Sequence, residues 1–192
     1  MRKKLTRPNE ALILLVNVFL VFFCVNISCA HTATDEIGRS VNISSVPRRI
    51  VSLAPGITET LYELSLDDKI LGVTNYCNWP LRARQKPQIG GFTNPSIEKI
   101  VSLKPDLIIA TADGNRKDTM NQLARTGLAV YVINPYDTDR ILKNILHIGE
   151  ITDKIDVAGK LVEKLQKRLD NIAAQTRNKR RPRVFFRLVW KR

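Results

Sequence analysis

The residues of this chain that could do chemistry are aromatic, small and polar side chains grouped at junctions between strand-like and helix-like segments. Pro55-Gly56 follows one apolar run, Tyr76 and Trp79 follow the next, Phe92 precedes a helical segment, and Thr111 to Asn115 follow a third apolar run. Open α/β sheets bind ligands at such junctions, beyond the carboxyl ends of their strands. Aromatic faces offer a bulky planar ligand a large apolar contact at low entropic cost, and Gly56 would let it approach the backbone. Taken singly, Phe92 and Tyr76 read as ordinary core aromatics; taken together, the set reads as a binding edge.

Other chemistries find little support. No G-x-x-x-x-G-K phosphate cradle occurs, no G-x-G-x-x-G follows a strand, and no G-x-S-x-G elbow is present. Beyond the first thirty residues there are two histidines, His31 and His147, neither with Cys or His neighbours at metal-ligand spacing. No nucleophile is nominated together with its base. The chain therefore reads as a binding protein with no cofactor of its own, not as an enzyme, although an α/β enzyme with an unrecognised site stays open as an alternative.

The elements that would position these residues alternate. From Arg49, β-rich runs (Ile50 to Leu53, Ile70 to Val73, Asp106 to Ala110, Val130 to Ile133) are separated by amphipathic stretches, the pattern of a parallel sheet flanked by helices. Thr74 to Pro80 leads through an extended stretch to Ile89-Gly90-Gly91-Phe92. Asn94-Pro95 is a helix start, because Asn caps free amides and Pro is pre-set for the first turn; Ile97, Ile100 and Val101 form that helix's buried face. Met120, Leu123 and Ala124 mark one face of the next helix, and Ile141, Leu142, Ile145 and Leu146 that of a helix beginning at Thr138. The expected fold class is α/β, a Rossmann-like lobe over 49–156 behind an extension at 31–48. Val157, Leu161, Leu165, Leu169 and Ile172 then predict a single long helix in the segment 157–179, of roughly 20 residues and about 30 Å at about 1.5 Å per residue. Val184-Phe185-Phe186 restarts a strand-like run within 180–192.

Charge and cysteines bound the setting. Of 31 basic and 18 acidic residues, residues 31–170 hold 19 and 17, so the folded middle is nearly neutral. The excess sits at the two ends, four basic residues in 1–30 and eight in 171–192. A nucleic-acid binder carries its basic residues on the fold as a patch or stripe, so no nucleic-acid partner is expected. Arg2, Lys3, Lys4 and Arg7 precede an apolar run from Ala11 to Val25, shorter than the roughly 20 residues of a membrane span. Residues 1–30 read as a secretory signal cut after Ala30, with Ser28 and Ala30 as its small residues. A retained signal anchor, or lipid attachment at Cys29, are the alternatives; Asn26 stands where a lipoprotein site wants Leu or Val. Cleavage leaves Cys77 as a lone thiol, which excludes a disulfide scaffold but not an oxidising compartment.

Two segments carry a resemblance. Arg49-Ile50-Val51-Ser52-Leu53-Ala54-Pro55-Gly56-Ile57-Thr58-Glu59 and Ile97-Glu98-Lys99-Ile100-Val101-Ser102-Leu103-Lys104-Pro105-Asp106-Leu107-Ile108 resemble two signatures of the substrate-binding proteins that serve ABC importers of cobalamin, siderophores and haem. Val73 to Pro80 and Asp113-Gly114-Asn115 are similar to the cobalamin branch. The resemblance covers about residues 46–186. It implies two α/β lobes joined by one long helix, a periplasmic monomer, and a corrinoid held between the lobes for delivery to the membrane permease. By position it implies ligand contacts from Pro55, Gly56, Tyr76, Trp79, Phe92 and Thr111, and permease docking through Glu98. It also implies a second lobe beginning near Val184, whereas six residues follow Phe186; a chain ending there is expected to lack the second wall of the cleft. The rival expectations are a ferric siderophore or haem as ligand, and a remnant that binds nothing saturably.

Overall fold

The computed structural model describes residues 31–43 and 45–185. The expectations placed on 1–30 and on Phe186 to Arg192 lie outside the described residues. A hairpin comes first, β1 (His31–Thr34) and β2 (Ser40–Ile43), paired antiparallel. Then follow β3 (Ile50–Ser52), α1 (Pro55–Glu63), β4 (Ile70–Val73), α2 (Ile97–Ser102), β5 (Leu107–Thr111), α3 (Lys117–Arg125), β6 (Val130–Ile133), α4 (Thr138–Ile151) and α5 (Ile155–Thr176). Short 3-10 turns lie at Asp67–Lys69 and Leu81–Gln85.

The four central strands pair in parallel in the order β4-β3-β5-β6. All five residues of β5 and all four of β6 are buried, as expected of strands covered on both faces. Successive residues serve opposite cores. Ile50, Leu107, Ile109, Tyr131 and Ile133 join one cluster with Ile57 and Leu61 of α1 and Ile145 and Ile148 of α4. Val51, Ile108, Ala110, Val130 and Val132 join the other, with Ile100 of α2 and Met120 and Leu123 of α3. This period of two follows from the strand pleat, and it makes the lobe an α/β layer structure with helices on both faces. The chain leaves β3 first toward β4 and then, through α2, returns to the other side at β5. The gap between the carboxyl ends of β3 and β5 is therefore the topological switch point.

Several elements differ from the sequence reading. The helix expected at Asn94-Pro95 begins instead at Ile97: Pro95 is buried and bridges back to Gly90, and Ser96 caps the helix by accepting from the Lys99 amide at 3.3 Å. Helix α2 has only six residues, so Ile100 is enclosed while Val101 is 39% exposed. Ala124 is exposed on α3, and Ile141 of α4 is 45% exposed. Leu81–Gln85 is a 3-10 turn rather than extended chain. Helix α5 begins at Ile155 and ends at Thr176; Ala158 is its one buried residue, with Leu161, Val162 and Leu165 packed at the edge of the first cluster. Ala158 fits because Gly149 of α4 faces it, where a methyl would overlap the Ala158 Cβ. Val184 and Phe185 are exposed and form no strand.

The hairpin is not a loose extension. Ala33, Val41 and Ile43 enter the first core cluster, and the Glu36 amide donates to the carbonyl of Val132 at 2.9 Å. Asp35 organises its turn, accepting from the Arg39 amide at 2.8 Å and pairing with the Arg39 guanidinium at 2.8 Å, which also reaches the Val130 carbonyl.

Candidate ligand-binding site

A cavity of about 310 Å³ opens at the switch point. Ala54, Pro55, Gly56, Ile57 and Thr60 form its α1 wall, continuing directly from β3. Thr111 and Asp113 come from the end of β5, Ile133 and Pro135 from the end of β6, and Phe92 from the loop before α2. Ile141, Asn144, Ile145 and Ile148 of α4 close the remaining side. The surface is dominated by aliphatic, aromatic and proline carbon. Among the described residues, Asp113 is the sole ionisable side chain on it, and no Lys, Arg or His lines it. Such a wall suits a neutral, largely apolar ligand and gives an anionic one no counter-charge.

One buried side chain holds the rim together. Asn115 is 4% exposed; its Oδ1 accepts from the Thr111 amide at 2.8 Å, and its Nδ2 donates to the carbonyls of Leu53 at 3.1 Å and Phe92 at 2.7 Å. The ends of β3 and β5 and the Phe92 loop are thus tied by one amide, each to a backbone group that would otherwise lack a partner. Phe92 rests against Gly114: a Cβ at 114 would overlap the ring. Thr111 is buried, and its hydroxyl donates to Asp113 Oδ1. From the sequence, Thr111 to Asn115 reads as part of the binding edge, but the bracing role of the Asn115 amide is not read there. The signal for more was an Asn one residue after a Gly at the end of a buried strand.

The residues singled out from the sequence divide. Pro55, Gly56, Phe92 and Thr111 meet in the cavity. Trp79 does not: it is 61% exposed and lines a separate recess of about 280 Å³ with Glu59, Tyr62, Glu63, Pro80 and Arg82. Helix α1 separates the two, turning Thr60 to the first and Glu59 and Tyr62 to the second. Tyr76 is 63% exposed in the same loop as Trp79 and lines neither recess. Beneath that loop Cys77 is buried, its Sγ 3.1 Å from Thr58 Oγ1 and 3.2 Å from Thr74 Oγ1, so the thiol is a core group. The cavity also gathers residues that sequence reasoning did not single out, Thr60 and Asn144 among them.

Glu98 stands apart from both recesses, exposed in the first turn of α2. Its carboxyl is held below the usual carboxylate range by its own backbone amide and then by the Ser96 hydroxyl, which donates to Oε2 at 3.0 Å. His147 lies away from the cavity lining, with Nδ1 2.8 Å from Glu36 Oε1, while Arg140 Nη1 is 2.8 Å from Glu36 Oε2. Among the described residues, no group of three His, Cys, Asp or Glu could hold a metal ion, and no helix is long and apolar enough to cross a membrane.

Comparison with known proteins gives this geometry its context. The vitamin B12-binding protein of Photorhabdus laumondii subsp. laumondii is 29% identical over 136 residues, which are 71% of this chain and 50% of that protein. An ABC transporter substrate-binding lipoprotein of Bacillus subtilis is 33% identical over 144 residues, 73% of this chain and 46% of that protein. Among solved structures, the periplasmic vitamin B12 binding protein of Vibrio cholerae superposes with a TM-score of 0.65 at 32% identity, covering 69% of this chain and 52% of that one. A periplasmic heme binding protein of Pseudomonas aeruginosa, at 23% identity, shares the fold with a TM-score of 0.63 over 69% of this chain and 50% of its own. The chain spans about half the length of the curated relatives it matches. The periplasmic binding protein family matches residues 50–190, so by fold, by signature and by length of match this chain belongs to that family.

Proposed function

We propose that this lobe captures a corrinoid, cobalamin or a close relative, outside the cytoplasm and presents it to the permease of an ABC importer. It acts as a binding protein rather than an enzyme, and the corrinoid is its cargo rather than a cofactor. The observation that carries the reading is the cavity at the switch point: an apolar wall built from Pro55, Gly56, Phe92 and Thr111 with no basic side chain on it among the described residues. A ferric siderophore with net negative charge would want cations there. Tyr76 and Trp79, exposed on the neighbouring loop, add aromatic faces for the part of a large planar ligand that extends past the cavity mouth. The vitamin B12-binding relatives support the same ligand class.

In this reading Glu98 is the docking carboxylate, exposed, its pKa lowered by its own amide and then by the Ser96 hydroxyl, for pairing with permease cations. The basic head and apolar run of residues 1–30 fit export, and anchoring through Cys29 is the variant suggested by the Bacillus subtilis lipoprotein.

Titration of the protein with cyanocobalamin, haemin and a ferric siderophore, followed by tryptophan fluorescence and calorimetry, tests the assignment. Saturable binding of cyanocobalamin with the highest affinity is the expected result. Tighter binding of either iron ligand overturns the corrinoid assignment, and saturable binding of none overturns ligand capture by this lobe.

A further inference from the structure

Asn144 is the one polar residue among the four of α4 that line the cavity, set between Ile141, Ile145 and Ile148. It is 3% exposed, and among the described residues neither its Oδ1 nor its Nδ2 has a hydrogen-bond partner. A buried amide with both ends unpaired is costly, and native cores almost always satisfy such groups. The contrast with Asn115 is direct: that amide makes three bonds, two of them to the cavity-lining residues Thr111 and Phe92. An apolar residue at 144 would complete the isoleucine face without that cost, so the amide calls for a partner that enters the cavity.

We infer that Asn144 is a ligand-anchoring residue whose amide pairs with a carboxamide of the molecule held in the cavity. Nδ2 donates to the ligand's carbonyl oxygen and Oδ1 accepts from its N–H. A side-chain amide presents a donor and an acceptor side by side, and another amide is its two-point complement. A ligand carboxylate would be held by Nδ2 alone and opposed by the partial negative charge of Oδ1, would also face Asp113, and would find no cation on the wall among the described residues. A hydroxyl would engage one end at a time. The inference rests on the corrinoid reading insofar as a corrinoid ring is rimmed with carboxamide arms, one of which would enter between α1 and α4. Both amide atoms are closed to solvent in the present conformation, so engagement requires the short side chain to turn toward the cavity, and no hydrogen bond resists that turn.

The test compares wild type with Asn144→Leu, which has similar volume and no polar atoms, by thermal unfolding without ligand and by calorimetric titration with cyanocobalamin. The expected result is a melting temperature at or above that of wild type together with cyanocobalamin affinity at least tenfold weaker. Unchanged affinity overturns the anchor, and so does a melting temperature several degrees lower, which would show that the amide has an internal partner. The wild-type protein supplies a measurement that depends on neither the variant's folding nor the corrinoid. The Asn144 side-chain NH₂ resonances are followed by nitrogen-resolved NMR during titration with benzamide and, separately, ethylbenzene. A shift with benzamide and not ethylbenzene supports the anchor even if cyanocobalamin does not bind and the corrinoid reading falls. Equal shifts, or none, overturn it.

Discussion

The Asn115 side-chain amide donates to the carbonyl of Phe92 at 2.7 Å while its oxygen accepts from the amide of Thr111, across the end of the sheet. Replacing it by Ala strands the Thr111 N–H and the Leu53 and Phe92 carbonyls in a buried rim. Loss of a buried partner costs about 1–3 kcal/mol, and Asn115→Ala is expected near the upper end of that range by urea unfolding. Asn115→Asp keeps the acceptor for Thr111 but turns an oxygen toward two carbonyl oxygens, so it should be no better than Ala. A loss below about 0.5 kcal/mol in both variants, the range of an ordinary surface change, would mean the rim does not depend on this residue.

Gly114→Ala places a methyl in the Phe92 ring. The ring must leave its position against the cavity or the 113–115 turn must shift, at about 1–3 kcal/mol for overpacking. The expected outcome is a moderate fall in stability with a clear fall in cyanocobalamin affinity. Gly114→Ala combined with Phe92→Leu should recover part of the stability, because the shorter, non-planar side chain vacates the contested space. No recovery would locate the clash elsewhere.

Trp79 and Tyr76 separate function from folding because both are mostly exposed. Trp79→Ala and Tyr76→Ala should change stability by less than about 0.5 kcal/mol. If they form the aromatic platform beside the cavity, each costs about 1–3 kcal/mol in cyanocobalamin binding, the scale of burying one large side chain. Calorimetric titration reads the binding and thermal unfolding reads the stability. Unaltered affinity in both would confine the site to the cavity.

The alternation of β-rich and amphipathic runs made the lobe legible in the sequence because strands buried on both faces are written as continuous apolar runs, and β5 and β6 are of that kind. The hairpin at 31–43 was not, since its two strands are four residues each and hold their place through Ala33, Val41 and Ile43, which join a core cluster with residues far along the chain, Tyr131 among them. The same limit applies at the site. Pro55, Gly56 and Thr111 announce themselves at strand ends, where topology alone gathers them. Asn144 sits mid-helix in an amphipathic pattern, where an Asn reads as surface, and only the packing of α4 against the sheet shows that it is enclosed. Helix α2 illustrates local competition: Asn94-Pro95 has the stronger cap chemistry, but the bridge from Gly90 to Pro95 keeps the chain extended until Ser96.

Tyr131 links the sheet to the hairpin, 2% exposed, with its hydroxyl donating to the Thr34 carbonyl at 3.4 Å. Burial, then the nearby carboxylates of Glu36, Asp35 and Glu150, push its hydroxyl up to about 12. The unfolded tyrosine titrates near 10, so the native state favours the neutral phenol. The corresponding stability is fully present below about pH 10 and is lost as the pH rises through about 12. Urea midpoints for wild type should fall across that window, and Tyr131→Phe should fall less steeply. Parallel curves would assign the alkaline loss to other groups.

The carboxyl end should be the first part of the protein to yield to protease. Helix α5 is held by Ala158 against Gly149 and by the half-buried Leu161, Val162 and Leu165, but every residue from Asn171 to Phe185 is exposed. Arg177, Lys179, Arg180 and Arg183 lie at or beyond the helix end, where extended backbone can enter a protease cleft, whereas Lys164, Lys167 and Arg168 are locked in helix. Arg49 and Arg140 are each fastened, the first to the carbonyls of Leu103 and Lys104, the second to Glu36. Limited trypsin treatment should therefore cut first between Arg177 and Val184, sparing the Arg181-Pro182 bond, and leave a resistant fragment carrying the hairpin, the sheet and α1 to α4. Among the described residues, all that line the cavity fall between Ala54 and Ile148, so the trimmed fragment should bind cyanocobalamin about as tightly as the intact protein. An earlier cut inside 49–156, seen by mass spectrometry, would show that the lobe opens before the tail is reached. Retention of the fragment with loss of binding would place part of the ligand contact beyond Arg177.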